Sequence, residues 1–139
     1  MDLNRAIATL TLRLLLGIIF FLQGFHKVFN WGVQDLYEEV FYNSSFEVLP
    51  RFLVRATAYY TSYVELLAGL IIIIGFKRDW GLYALASVLV IVSFGHGMME
   101  TIWDLQHVMF RAILLITLLL LPKEWDKYSL DSFISKRSK

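Results

Sequence analysis

Eleven polar side chains that could do chemistry interrupt sequence made mostly of Leu, Ile, Val, Phe and Gly. Arg13, Gln23, His26 and Lys27 fall in one apolar stretch, and Arg55 and Glu65 in a second. His96 and Glu100 fall in a third, and Gln106, His107 and Arg111 in a fourth. An ionisable group inside a membrane-spanning helix costs roughly 2.5–3.5 kcal/mol on insertion scales. A sequence that keeps such groups therefore gives them partners or work. At about 1.5 Å of rise per residue, measured from the centre of each stretch, Glu65 falls near the midplane. Arg111 then lies about 3 Å to one side of it and Arg13 about 9 Å to the other. An arginine side chain spans such a gap. The spacing predicts that Glu65 is neutralised by Arg13, Arg111 or both, in a structural ion pair that fixes helix register.

His26, His96 and His107 form a second level, about 9–11 Å outward of the midplane and on three different stretches. Gln23 stands on the His26 and Lys27 side. Glu100 is i+4 from His96, and Arg111 is i+4 from His107, so each pair shares a helix face. Within the stretches four cations (Arg13, Lys27, Arg55, Arg111) face two anions (Glu65, Glu100). That excess attracts an anion or a polarised carbonyl oxygen. Three chemistries stay open. The residues can hydrogen-bond one another and seal the bundle near the interface. They can form a pocket for a quinone head group, whose carbonyls need His, Arg or Gln donors beside an apolar slot. Histidines can also ligate haem or a metal, but single histidines at loose spacing argue against both. The candidate ligand set is Gln23, His26, Lys27, His96, Glu100, His107 and Arg111, with Arg111 at the floor. His26 and Lys27 point about 100° apart. Lys27 is expected inside and His26 at the edge.

The elements that must hold these groups are four stretches, at about 8–29, 51–76, 81–100 and 105–121. A spanning helix needs about 20 mostly apolar residues. The expected fold is all-α: an integral membrane four-helix bundle forming one domain over 1–139. Composition agrees. The chain is 58% hydrophobic and 18% charged, against about 45–50% and about 25% in soluble domains. With a mean hydropathy of +0.59, lipid is the natural solvent for the surplus. The first stretch is too long for a signal peptide, carries Arg13 and lacks a small-residue cleavage site, so it is expected to be retained. Arg5, Lys77, Arg78 and the basic residues of the tail 122–139 fall on one side of a four-span arrangement. The loop 30–50 holds Asp35, Glu38, Glu39 and Glu47 and no Lys or Arg. Both termini are therefore expected in the cytoplasm. In that outer loop Val33, Leu36, Tyr37, Val40 and Phe41 recur at helical spacing. They predict a short amphipathic helix lying on the outer membrane surface. Net charge is +1, with no basic patch for nucleic acid. No cysteine is present, so redox work would need a bound cofactor or a partner protein.

Small residues punctuate the stretches: Gly17 and Gly24, Ala68 and Gly69, Gly81 and Ala84, Gly95 and Gly97. They allow close helix approach. Arg13-x3-Gly17-x2-Phe20-x3-Gly24-x2-Lys27 is one stripe down a helix face, and Glu65-x3-Gly69-x5-Gly75 follows in the second stretch. This pattern resembles the DoxX family of small four-helix membrane proteins. The resemblance implies a four-helix transmembrane bundle and membrane-bound redox work. Some DoxX relatives are subunits of thiosulfate:quinone oxidoreductases, others are membrane anchors in oxidoreductase assemblies, and distant ones are assembly chaperones. Residue by residue it points to Arg13, Lys27 and Glu65. The other candidates rest on depth alone. The expectation is a multi-pass subunit of the cell membrane, the inner membrane in a bacterium. It would support oxidoreductase activity and hold quinone or another lipophilic ligand in its outer half, with no covalent cofactor and no metal. The alternative is a non-catalytic assembly or anchoring partner that presents the outer amphipathic helix. Lipid and a protein partner or second copy are the expected contacts, and nucleic acid is not.

Overall fold

The computed structural model describes residues 3–42, 49–99 and 106–137, and all the regular structure there is helical. Helix α1 spans Leu3–Phe25 and runs on through a wider π-wound turn, His26–Trp31, to Gly32. A short helix α2, Val33–Leu36, continues in the same wide winding over Tyr37–Tyr42. Helix α3 is Arg51–Ile74, α4 Arg78–Met99 and α5 Gln106–Leu120. A single 3₁₀ turn, Lys123–Trp125, leads to α6, Leu130–Arg137.

Local chemistry sets these ends. Pro50 directly precedes α3 and its carbonyl accepts the Leu53 and Val54 N–H groups at 3.0 and 3.2 Å, the place where proline costs a helix nothing. At the other end Gly75 takes φ +73° and turns its N–H back to the Ile71 and Ile72 carbonyls. That left-handed conformation suits glycine and satisfies carbonyls the helix would otherwise orphan. Pro122 follows α5 within two residues.

Leu3–Trp31, Arg51–Ile74 and Arg78–Met98 are long and apolar enough to cross a membrane. The fourth expected span is an apolar helix but a shorter one. Helix α5 has 15 described residues, about 22 Å at helical rise, against a hydrocarbon core of about 30 Å.

Helices α1 and α3 make the closest contact. Gly17 lies on Ile73, Gly69 on the backbone of Phe21, and Gly24 on the backbone of Glu65 and Leu66. Each step along α1 is matched by an equal step back along α3, so one antiparallel register holds throughout. Gly81 lets α4 settle on Ile72 of α3. The core between the helices is apolar and includes Leu16, Phe20, Ile72, Leu85, Leu115 and Leu118. Leu22, Phe52, Val90, Phe94, Phe110 and Leu120 face outward, each more than half exposed, as a lipid-facing surface requires. In lipid the helices are held by close packing and polar contacts, since apolar tails compete for the same surface.

The helix expected in the loop after the first span is present. Val33, Leu36 and Tyr37 are buried, Tyr37 against Val54 and Ala58 of α3, and Phe41 packs beside them. Asp35, Glu38 and Glu39 are exposed. Val40, on the same stripe, is 36% exposed.

Candidate functional site

Two polar knots cross the bundle, one towards each end. The first joins three helices. Lys27 Nζ donates to Glu65 Oε2 at 2.7 Å, with 16% of the Lys27 side chain and 1% of the Glu65 side chain exposed. One turn back along α1, Gln23 Oε1 accepts from Arg111 Nη1 of α5, also at 2.7 Å. The Arg111 guanidinium stands 5.7 Å over the centre of the buried Phe20 ring, within cation–π range. Its charge also acts on Glu65. The knot thus holds two cations and one carboxylate, a single net positive charge among apolar helices. A charge in a low-dielectric setting acts more strongly than one in water, so this group can hold an anion or a carbonyl oxygen.

The expected ion pair is corrected here. Glu65 binds Lys27, not Arg13. Span centres had put Arg13 within reach, but the glycine contacts set a different register. In that register Lys27 falls within two residues of Glu65's level, and Arg13 falls beyond the end of α3. Glu65 is ten residues from Gly75, about 15 Å along the helix, too far for the Arg13 side chain. Arg111 comes near enough to act on Glu65 but gives its hydrogen bond to Gln23.

The remaining candidates divide. His26 is exposed, its Nδ1 3.1 Å from the Asn30 amide nitrogen and its ring beside Trp31. It lies outside the knot, at the edge. His96 is half-buried on α4 and continues the bundle-facing stripe Leu82, Leu85, Leu89, Val92. Glu100 and the side chain of His107 lie outside the described residues. Among the described residues no three His, Asp or Glu side chains cluster as a metal would need. In the last part of α4 no residue from 90 to 98 is fully buried among the described residues, and a Cβ at Gly95 would meet no described atom within 4 Å.

The second knot was not legible in the sequence. Arg13, 1% exposed, caps the end of α3. Its Nη1 donates to the Ile72 and Ile73 carbonyls at 3.1 and 2.5 Å, and its Nη2 to the Tyr128 carbonyl at 2.8 Å. Its Nε lies 3.2 Å from Asp126 Oδ1. A guanidinium suits this place, where a helix leaves unsatisfied carbonyls and the negative end of its dipole. Asp126 is shared with Arg78, whose Nη1 is 3.9 Å from Oδ2 and whose Nη2 donates to the Leu121 carbonyl at 2.9 Å. Burial raises the Asp126 carboxyl pKa above its ordinary value, and the two guanidinium groups pull against that rise. The Asp131 N–H closes the knot on the Gly75 carbonyl at 3.1 Å. At the amino end Arg5 covers the Trp125 ring at 4.9 Å. The tail is therefore docked structure, and the start of α1 meets it at Trp125. No local pattern marks Asp126 among the other charges of the tail.

A family model described as DoxX matches residues 8–97, more than half of the chain. The match takes in Arg13, Gln23, Lys27, Glu65 and His96 and ends before Arg111 and Asp126. No curated protein and no solved structure matches the chain.

Proposed function

The chain belongs to the DoxX family, membrane proteins associated with oxidoreductase function, and on that premise we propose that it is a multi-pass subunit supporting such an activity by binding quinone, or another lipophilic carbonyl compound, at the Gln23–Lys27–Glu65–Arg111 knot. The carrying observation is Arg111 bound to Gln23 beside the Lys27–Glu65 pair. Glu65 is matched by Lys27, which leaves the Arg111 guanidinium with a neutral amide and a charge to spare. A head-group carbonyl can take the place of Gln23 on Arg111, and the freed Gln23 amide can donate to the same oxygen. The last part of α4 leaves room for an isoprenoid tail. In this reading His96, on the bundle-facing stripe of α4, borders the tail's path. In this reading α5 is the fourth span, and the distribution of Lys and Arg supports cytoplasmic termini in the cell membrane.

Purified protein in lipid nanodiscs, titrated with a short-tail ubiquinone and a short-tail menaquinone, tests this through tryptophan fluorescence. Saturable quenching is expected. Arg111→Ala should weaken it about 10–100-fold, the value of about 1.5–3 kcal/mol for a charged hydrogen bond. Lys123→Met, remote from the knot, should not. Absence of saturable binding to the unaltered protein overturns the proposal. The acidic face of α2 over its buried Val33, Leu36 and Tyr37 favours a second reading, an assembly or anchoring partner. A co-purifying protein without bound ligand would support it.

A further inference from the structure

We propose that α6 is an interfacial helix seated on an anionic lipid leaflet, its apolar face in the acyl boundary and its basic residues on the phosphates. The observation is an apolar helix face left largely open among the described residues. Leu130, Phe133 and Ile134 recur at i, i+3 and i+4 and are 38, 65 and 49% exposed. The opposite side of the helix faces the bundle across a groove. Asp131, Ser132 and Ser135 line a groove of about 840 Å³ together with Trp80 and Tyr83 of α4. The apolar side is thus turned away from the bundle.

Depth selects lipid as the occupant. The Asp131 N–H is bonded to the carbonyl of Gly75, where α3 and its apolar stretch end. The Tyr128 carbonyl, two residues before α6, is held by the buried Arg13. The start of α6 is therefore fixed at the level where a bilayer around α3 passes from acyl chains to head groups. A helix of eight residues is about 12 Å long, too short to span and long enough to lie flat. Charge selects the head group. Lys127, Lys136 and Arg137 are all exposed, two of them in the last turn of the helix. A short helix with an apolar face and flanking Lys and Arg binds membrane surfaces by area and by attraction to anionic lipid.

The chain has no cysteine, so single cysteines can be introduced into the full-length protein without a background. Phe133→Cys, Ile134→Cys and Ser135→Cys, each carrying an environment-sensitive fluorophore, are compared in nanodiscs of phosphatidylcholine alone and of phosphatidylcholine with phosphatidylglycerol. The labels at 133 and 134 should emit at shorter wavelength than the label at 135 and be quenched by lipids brominated on the acyl chain. Both effects should grow with phosphatidylglycerol and shrink in Lys136→Gln/Arg137→Gln. Equal emission at all three positions overturns the proposal, as does shielding indifferent to lipid charge. Shielding in detergent that rises with protein concentration overturns it in favour of a second copy on this face.

Discussion

Gly24 rests on the backbone between Glu65 and Leu66, and that contact is what brings the Glu65 carboxylate to Lys27. The missing side chain lets α1 and α3 touch, the touch sets the register, and the register selects the ion pair. A packing residue thus decides which charges meet.

The first consequence concerns the pair itself. Lys27→Met leaves a buried carboxylate behind and should destabilise the protein by about 3 kcal/mol, the low end for a broken buried pair because part of Lys27 remains exposed. Lys27→Met/Glu65→Gln removes both charges and should cost clearly less than Lys27→Met alone. Thermal unfolding of purified protein in detergent reads both. If the double variant is the less stable one, the pair is not buried in the sense described.

Gly24→Ala should separate α1 from α3 and cost about 1–3 kcal/mol, as overpacking does. Gly97→Ala meets no described atom and should fall within about 0.5 kcal/mol of the unaltered protein. The same unfolding measurement compares them. Equal effects would remove the argument that glycine sets the register.

Arg13→Ala should release the tail. The variant loses a buried charge partner of Asp126, a loss of about 3–5 kcal/mol if the pair is as buried as its 2% and 5% side-chain exposures imply. Limited trypsin digestion should then cut at Lys123 and Lys127 much faster, while the helices before Pro122 resist. Arg13→Lys should rescue only partly, since one ammonium cannot serve three carbonyls and a carboxylate at once. An unchanged digestion rate for Arg13→Ala would show that the tail is held by other means.

Lys123 provides the contrast. Its hydrogen bond to Asp79, at 2.6 Å, raises its pKa above the ordinary 10.5. A raised base adds stability below its unfolded pKa and loses it as the pH climbs through the folded one. The expected loss therefore lies on the alkaline side of 10.5. It is small, within about 0–1 kcal/mol, because the Lys123 side chain is 69% exposed. Lys123→Met at neutral pH should show the same small effect, and a loss comparable to that of Lys27→Met would contradict it.

Which parts of this architecture were legible follows from where the information sits. Apolar run length marked the three long helices, and the spacing of Val33, Leu36 and Tyr37 marked the helix after the first of them. Polar interruptions drew Gln23, Lys27, Glu65 and Arg111 to notice. Their partners were not legible from depth, because centring each span by itself ignores how far one helix slides along the next. Gly17, Gly24 and Gly69 carried the missing information: aligning them as contacts gives the register and puts Lys27, not Arg13, on Glu65. Arg13 had no such marker. Its partners are backbone carbonyls, which every residue has, and a tail aspartate far along the chain. The fourth stretch, read at about 105–121, agrees with α5 at Gln106–Leu120 to within a residue at each described end.

The Arg13 knot bears on how the protein is made. Arg13 precedes its carbonyl partners at Ile72, Ile73 and Tyr128 by 59, 60 and 115 residues. A ribosome working from the amino end delivers the guanidinium first and the residues that satisfy it last. Until Asp126 has emerged, the first helix carries a charge with its chief carboxylate missing. The Arg13 knot therefore closes only once Asp126 and Tyr128 have been made. Without Asp126 the same helix would hold an arginine whose buried carboxylate partner is missing.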